Sequence, residues 1–287
     1  MLIFFMLQSK LFTKTSKQLP KDEPSLNAQL LLRAGYVDKL MAGVYTFLPL
    51  GLRVLNKIKN IIREEMDKIG GQEVLMPALT PKDIWVQTNR WEGFDALFKL
   101  SGKEEKEYAL GATHEEIVTP LVQHFVSSHK DLPCAVYQIQ DKFRNEARAK
   151  SGLLRGREFS MKDLYSFHKD EADLDAYYEV VKKAYFAIFS RCGLDALLVE
   201  ASGGAFSKFS HEYQVLTESG EDEVYMCACG RHQNKELVEG GELKCPYCGA
   251  EREVKKAIEV GNIFKLKNRF TDAFNFDYTD ESGEKKR

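Results

Sequence analysis

An α+β domain, with helices set among mostly antiparallel strands, is the fold class this sequence predicts. Three observations carry that expectation. Helical periodicities and strand-like alternations are interspersed along the chain, and no strand–helix–strand alternation is sustained. Two strand-like segments near the middle flank a short polar loop, as the arms of a hairpin do. The 287 residues are 44% hydrophobic and 29% charged, the make-up of an ordinary globular protein.

The elements follow in chain order. MLIFFMLQSK (1–10) holds a short apolar run with no basic leader and no small-residue cleavage site, far too short to span a bilayer. A cytoplasmic protein without membrane attachment is expected, with Met6 as its natural start and Met1 to Phe5 a dispensable extension. Pro49 opens a helix on which Val54, Leu55, Ile58, Ile61, Ile62, Met66 and Ile69 recur at helical spacing, and Gly70-Gly71 stops it. EVLMPAL (73–79) reads as a buried strand ending near a proline. Thr113-His114-Glu115-Glu116 opens a helix carrying Ile117, Leu121, Val122 and Phe125, and Thr113-x-x-Glu116 fits a capping box that leaves Glu115 to point elsewhere. AVYQIQDKF (135–143) and GREFSMKDLYSFH (156–168) alternate as the two arms of a hairpin around Gly152. Residues 170–191 form an amphipathic helix with Leu174, Tyr177, Tyr178, Val181, Tyr185 and Ile188 on its apolar face and Gly193 at its end. Strands are expected near 196–200, 211–218, 222–227 and 257–279. The polar, cysteine-rich segment 227–255 reads as an insertion.

Charge and cysteine usage narrow the function classes. With a net charge of −2, any nucleic acid has to be met by a local patch, since the global field offers no attraction. Of six cysteines, Cys134 and Cys192 stand alone and four cluster late in the chain, which fits a metal site in a reducing compartment better than a disulfide framework. Cys227-x-Cys229 and Cys245-x-x-Cys248 lie fifteen residues apart, and two close thiolate pairs suit tetrahedral zinc in a ribbon. The Cys-x-Cys pair is the less usual knuckle. His232 is a substitute ligand, and four reduced structural cysteines are the other reading.

The richest stretch is KFRNEARAKSGLLRGREFSMKD (142–163). Arginine presents a rigid fork of donors that matches phosphate and carboxylate. A phenylalanine beside it offers a face for a purine or a guanidinium. Arg144, Glu146, Arg155 and Phe159 on two strands therefore suit a grip on a nucleotide. From residue types alone they suit equally a hairpin laced by surface ion pairs worth roughly 0–1 kcal/mol each. Nothing in the chain matches the glycine-lysine phosphate loop of other nucleotide-binding enzymes.

Order and spacing favour the first reading. FRNE followed by Arg155-x-x-x-Phe159-x-x-x-Asp163 resembles motif 2 of the class II aminoacyl-tRNA synthetases, and more closely that of the bacterial-type prolyl-tRNA synthetases. QSKLFTKT, LLRAGYVDKLMAGVYTFLPLGLRVLNKI, REEMDKIGGQEVLMPAL, ATHEE, LPCAVYQIQDKFRNE, GGAFSKFSHEYQVLTESGED and AIEVGNIFKL resemble segments of that family in the family's order, over nearly the whole chain. The resemblance implies a class II antiparallel sheet flanked by helices. It also implies a two-step reaction in which proline and ATP give prolyl-adenylate and the prolyl group then passes to proline tRNA. Arg144 would bridge the α-phosphate and the proline carboxylate, stabilising charge that develops at phosphorus. Glu146 would meet the adenine amino group or orient Arg144, Arg155 would hold the outer phosphates, and Phe159 would stack on adenine. Thr113 and Glu115 would receive the imino group of proline, and Phe167 and His168 would line the pocket for its ring. His168 without the motif reads as a hydrogen-bonded structural histidine. The family also implies magnesium with the ATP and a homodimer formed through the helix near 50–70, which periodicity alone reads as a core helix.

The organisation expected is a catalytic domain over 1–224, a small cysteine-rich insertion over 225–256 and a continuation of the catalytic domain over 257–287. About thirty residues separate SGEDEVYMC from AIEVGNIF. No editing domain fits there, so a complete form is expected to make alanyl-tRNA for proline without hydrolysing it, because lost methylenes discriminate by only roughly 1–3 kcal/mol each. The chain ends before the family's motif 3 and anticodon-binding domain, and feeble adenylate formation is expected of it. Asn262 stands where the family has histidine, Lys267-Asn268 where it has Gly-Thr, and Ala112 where it has proline. A non-catalytic class II-like protein that binds a nucleotide or tRNA is the alternative; a synthetase for another amino acid fits the 113–115 loop and the segment through His168 less well.

Overall fold

The strongest sequence patterns become the longest elements. The structure, a computed structural model, describes residues 6–18, 20, 23–149, 151–204, 207 and 210–287. The apolar run Met1 to Phe5, and Ala205, Phe206, Lys208 and Phe209 of the GGAFSKF segment, lie outside the described residues. The chain divides into two units, one formed by Met1–Arg63, Gln72–Val122 and Val136–Tyr165, the other by Glu64–Gly71, Gln123–Ala135 and Ser166–Arg287.

In the first unit, α1 (Leu26–Arg33) leads into an antiparallel hairpin of β1 (Val37–Met41) and β2 (Val44–Phe47). Helix α2 (Pro49–Lys68) starts on the proline, which lacks only an N–H that the first turn leaves unpaired anyway. It ends at Gly70, whose φ of +82° suits a residue without a Cβ. Its apolar stripe is only partly a core face: Met66 is fully buried, but Val54 and Ile58 are 44% and 37% exposed.

The expected strand 73–79 does not form as one element. Only β3 (Gln72–Glu73) and β4 (Leu79–Pro81) are strand, and Leu75 between them is 77% exposed. Side chains hold this stretch where a ladder would have: Gln138 Oε1 accepts the N–H of Met76 at 3.1 Å, and Gln140 Nε2 donates to its carbonyl at 2.8 Å. Short helices α3 (Lys82–Gln87) and α4 (Arg90–Gly93) follow. Then β5 (Phe98–Ser101) and β6 (Glu107–Leu110) complete an antiparallel sheet in the order β4-β6-β5. Trp85, Trp91, Leu97, Ala109 and Ala112 pack as a core beneath it. Helix α5 (Glu115–Gln123) stops short of Phe125, which is exposed, so the expected apolar face is one residue too long. The hairpin arms are β7 (Cys134–Phe143) and β8 (Glu158–Phe167), neighbours in a sheet ordered β3-β7-β8.

In the second unit, Asp170 caps α6 (Glu171–Arg191) by accepting the N–H of Asp173, and Tyr178, Val181, Ala184, Ile188 and Phe189 are its buried residues. Five strands close into a barrel in the order β10-β13-β11-β12-β9: β9 (Ala196–Ala201), β10 (Ser210–Leu216), β11 (Asp222–Met226), β12 (His232–Asn234) and β13 (Glu253–Phe264). Tyr213 of β10 is buried against Tyr185, Phe186 and Phe189 of α6. Strand β12 lies inside the cysteine-rich segment and pairs with β11 and, in parallel, with β9. The expected strand 257–279 is corrected. It breaks after Phe264 into α7 (Arg269–Ala273), and only β14 (Tyr278–Thr279), paired with β15 (Lys285–Lys286), resumes it. Asn268 and Asp272 supply the backbone turn that starts this helix.

The α+β composition stands as expected. The contacts β3–β7 and β9–β12 are parallel, which local alternation does not signal because such pairs join segments distant in sequence.

Candidate active site

The loop before α5 is the most polar buried place in the first unit. The capping box does not form as expected, and Glu115 is not left free. Thr113 Oγ1 donates to Glu115 Oε2 at 2.6 Å, and Glu116 turns away to Thr88 Oγ1 at 2.9 Å and to Arg90. Arg90 Nη1 reaches both neighbouring carboxylates, Glu115 Oε2 at 3.1 Å and Glu116 Oε1 at 2.9 Å. Its guanidinium carbon lies 5.6 Å from the Trp85 ring and 4.8 Å from that of Phe94. Burial holds the Glu116 carboxyl above its ordinary value, against the pull of Arg90. Sequence reading passed over Arg90; its only local signal was an arginine amid Trp85, Trp91 and Phe94.

A second buried network ties this loop to the hairpin. Lys142 Nζ lies 2.9 and 3.0 Å from the two carboxylate oxygens of Asp163 and donates to His114 Nδ1 at 2.6 Å. His114 Nε2 meets the carbonyl of Pro77 at 3.0 Å, so Nε2 carries the proton and Nδ1 is free to accept. Tyr165 donates to Asp163 Oδ2 at 2.8 Å and accepts the backbone N–H of His114 at 3.1 Å. Burial, then the ammonium of Lys142, keeps the imidazole below its ordinary value; burial lowers Lys142 as well, opposed by Asp163. Tyr165 is held well above its usual range by burial and then by the charges of Glu115 and Asp163. The network joins the segment 74–77, the 113–116 loop and both hairpin arms into one support.

At the hairpin end, the N–H of Arg144 bonds to the carbonyl of Arg157 at 2.9 Å. The guanidinium of Arg144 lies 5.4 Å from the Phe159 ring centre, and Arg155 Nε donates to Glu146 Oε2 at 3.1 Å. Four residues expected to act together thus stand together in two pairs. Arg157, which sequence reading gave no role, fixes the end: Nε donates to the carbonyl of Glu146 at 3.0 Å and Nη1 to that of Ala42 at 2.9 Å. Gly43 beside it has φ +76°, and a Cβ there would lie 2.8 Å from the Arg157 nitrogen.

Phe167 and His168 fall in the second unit. Phe167 packs against Phe276 with ring centres 5.7 Å apart. His168 is bonded at both nitrogens, Nδ1 to Asp173 Oδ2 and Nε2 to Ser166 Oγ, each at 2.9 Å. Asn262 stands opposite Glu212 in the barrel ladder, and its Oδ1 is buried without a hydrogen-bond partner among the described residues. Lys267 pairs with Glu171 at 2.7 Å.

The family model for the tRNA synthetase class II core domain (G, H, P, S and T) matches residues 98–287. The chain belongs to that class II family. Among curated relatives, it is 48% identical over 242 residues to a proline–tRNA ligase of Halothermothrix orenii, covering 83% of this chain and 43% of that protein. It is 44% identical over 277 residues to the proline–tRNA ligase of Syntrophomonas wolfei, covering 91% and 49%. The chain thus spans about half the length, or less, of these relatives. Among solved structures, Giardia lamblia prolyl-tRNA synthetase in complex with prolyl-adenylate aligns with a TM-score of 0.71 at 20% identity, over 88% of this chain and 46% of that one. The Cryptosporidium parvum prolyl-tRNA synthetase complexed with L-proline and AMP aligns at 0.70 and 14%, over 90% and 46%. At these identities the likeness is one of fold.

This class II chain carries a second candidate site in its barrel unit. The sulfurs of Cys227, Cys229, Cys245 and Cys248 all lie within 4.8 Å of one another, with Cys227–Cys248 at 3.4 Å and Cys229–Cys245 at 3.9 Å. A tetrahedral zinc with Zn–S bonds of about 2.3 Å sets its sulfurs about 3.8 Å apart, so the donor set fits. Burial opposes a thiolate at Cys245, yet backbone amides of Tyr247 and Cys248 and nearby thiols bring it down to about 6. The amide of Cys229 favours a thiolate at Cys227, but burial and the other sulfurs push it up to about 12. One thiolate forms easily and the next needs a cation. The expectation of His232 as a substitute ligand is corrected: its Nδ1 accepts the N–H of Cys227 at 3.3 Å, and the four sulfurs complete a set without it. Among the described residues no helix is long and apolar enough to cross a membrane.

Proposed function

We propose that this chain forms prolyl-adenylate from L-proline and ATP and serves the transfer of the prolyl group to proline tRNA. One observation carries the reading. The buried acceptor pair Thr113–Glu115 and the arginine hairpin are built on one support, with Lys142 in electrostatic reach of both Glu115 and Arg144. Glu115 receives the cationic imino group, aided by Thr113, and Arg144 bridges the proline carboxylate and the α-phosphate. Donors fixed where charge develops need no reorganisation during reaction, and positioning supplies most of the rest. Phe159 offers adenine a ring face beside the one Arg144 occupies. Arg155 leaves Glu146 for the outer phosphates of magnesium-bound ATP, and Glu146 then meets the adenine amino group.

Three further parts belong to the same reading. Cys227, Cys229, Cys245 and Cys248 hold a structural zinc that ties the 227–248 loop to the barrel, a closed four-thiolate site being structural. Exposed Leu52, Val54 and Ile58 on α2 support a homodimer. The protein works in the cytoplasm, where free thiols persist.

Calorimetry with a non-hydrolysable prolyl-sulfamoyl-adenosine tests the reading. Tight binding that Arg144→Ala and Glu115→Ala each weaken is expected. No binding, or equal binding of the alanyl, threonyl and seryl counterparts, would overturn it. Metal analysis is expected to give one zinc per chain, lost in Cys245→Ser.

A further inference from the structure

The carboxylate that this reading places against the imino group of proline has no freedom of its own. Glu115 is buried, and one oxygen, Oε2, takes both the Thr113 hydroxyl and Arg90 Nη1. Both of these bonds fall on Oε2 and neither on the other oxygen, Oε1. Two carboxylates, on adjacent residues, share one nitrogen of one guanidinium. Such an arrangement is costly to desolvate, and removing one partner strands a buried charge.

We infer that Arg90 is a positioning residue of the proline site: its guanidinium, packed against the stacked rings of Trp85 and Phe94 and shared by Glu115 and Glu116, fixes the Glu115 carboxylate so that its remaining oxygen selects a cationic ring nitrogen over an uncharged ring atom. The inference rests on the proposed function and adds to it the source of its charge selectivity. Three features support it. Arg90 is anchored independently of any ligand, by two aromatic rings and by Glu116, so Glu115 does not have to be ordered when substrate arrives. Glu116 is in turn held by Thr88, which stops the guanidinium from rotating wholly onto Glu115. The other charged or titratable groups near Glu115 are Lys142 and His114, with Asp163 and Tyr165 beyond them. Lys142 is turned to Asp163 and His114, which leaves Arg90 as the cation in direct contact. A lysine at 90 would supply charge without the flat face that packs against the two rings.

The experiment compares binding of prolyl-sulfamoyl-adenosine with its cyclopentane counterpart, in which a methylene replaces the ring nitrogen. Circular dichroism checks the fold of each variant. The wild-type chain is expected to prefer the charged ligand by roughly a hundredfold, the scale of a buried hydrogen-bonded charge pair. Arg90→Met is expected to cut that preference by roughly tenfold or more by weakening the charged ligand alone, since Glu115 then faces Glu116 with no cation between them. Arg90→Met combined with Glu116→Gln is expected to restore part of the preference by removing the competing carboxylate. Arg90→Lys is expected to retain charge but lose several-fold in preference, and it decides the matter if Arg90→Met does not fold. An unchanged preference in the folded variant, or equal weakening of both ligands, would overturn the inference and leave the proposed function standing. Equal binding of both ligands by wild type would overturn it too, whereas binding of neither removes the proposed function and the inference with it.

Discussion

Two arginine–glutamate groupings in the first unit use the same chemistry in opposite surroundings. Arg90 meets Glu115 and Glu116 with its side chain 4% exposed; Arg155 meets Glu146 with its side chain 52% exposed. The buried grouping is locked by rings and a hydroxyl, and losing one partner strands a charge away from water. The exposed pair is screened by solvent and is worth roughly 0–1 kcal/mol. The difference matches two tasks. A fixed acceptor must not move, whereas a residue meant to receive phosphates must release its resting partner at little cost. Environment, more than residue type, sorts these glutamates into scaffold and grip.

The contrast breaks most visibly at Arg90. Arg90→Met is expected to destabilise the chain by about 3–5 kcal/mol, because two buried carboxylates lose their cation. Urea denaturation measures this, and a loss below about 1 kcal/mol would put the grouping in the same class as the surface pair. Lys142→Met comes next at about 3 kcal/mol, since Asp163 keeps Tyr165 and Gln138 as donors but loses its ammonium.

A smaller effect concerns pH. Burial holds Glu116 above the ordinary value of 4.5, so the folded state binds its proton more tightly than the unfolded state. Its contribution to stability is therefore full below the unfolded value and is lost as pH rises through the folded one. Denaturation midpoints across that window should show a falling component in wild type that Glu116→Gln removes. A rising component instead would mean that Arg90 outweighs burial.

Arg155→Met closes the series. Its stability is expected to lie within about 1 kcal/mol of wild type, with any difference erased by molar salt, while affinity for ATP falls. A large loss of stability would show the hairpin pair to be structural after all.

Much of this is legible in the sequence. Pro49 and Gly70 bounded a long helix, alternation marked β7 and β8, and the order Arg144, Glu146, Arg155, Phe159 named the grip. Cysteine spacing named four residues whose sulfurs do converge. What misled was local pattern read without partners. The run 73–79 looks like a buried strand because it is apolar, but the backbone of Met76 at its middle is satisfied by the side chains of Gln138 and Gln140 from sixty residues away. Thr113-x-x-Glu116 has the spacing of a capping box, but Arg90 competes for Glu116 and Thr113 turns to Glu115.

The sequence by itself determined the class of the protein, its hairpin and its thiol cluster, because motif spacing and periodicity are properties of short stretches. Only the tertiary structure decided which glutamate is held and by what, which lysine is buried, and that the segment around β12 closes a barrel. Those outcomes depend on charges and backbone groups brought together from distant positions, where burial sets the strength of each contact. No local pattern carries that information.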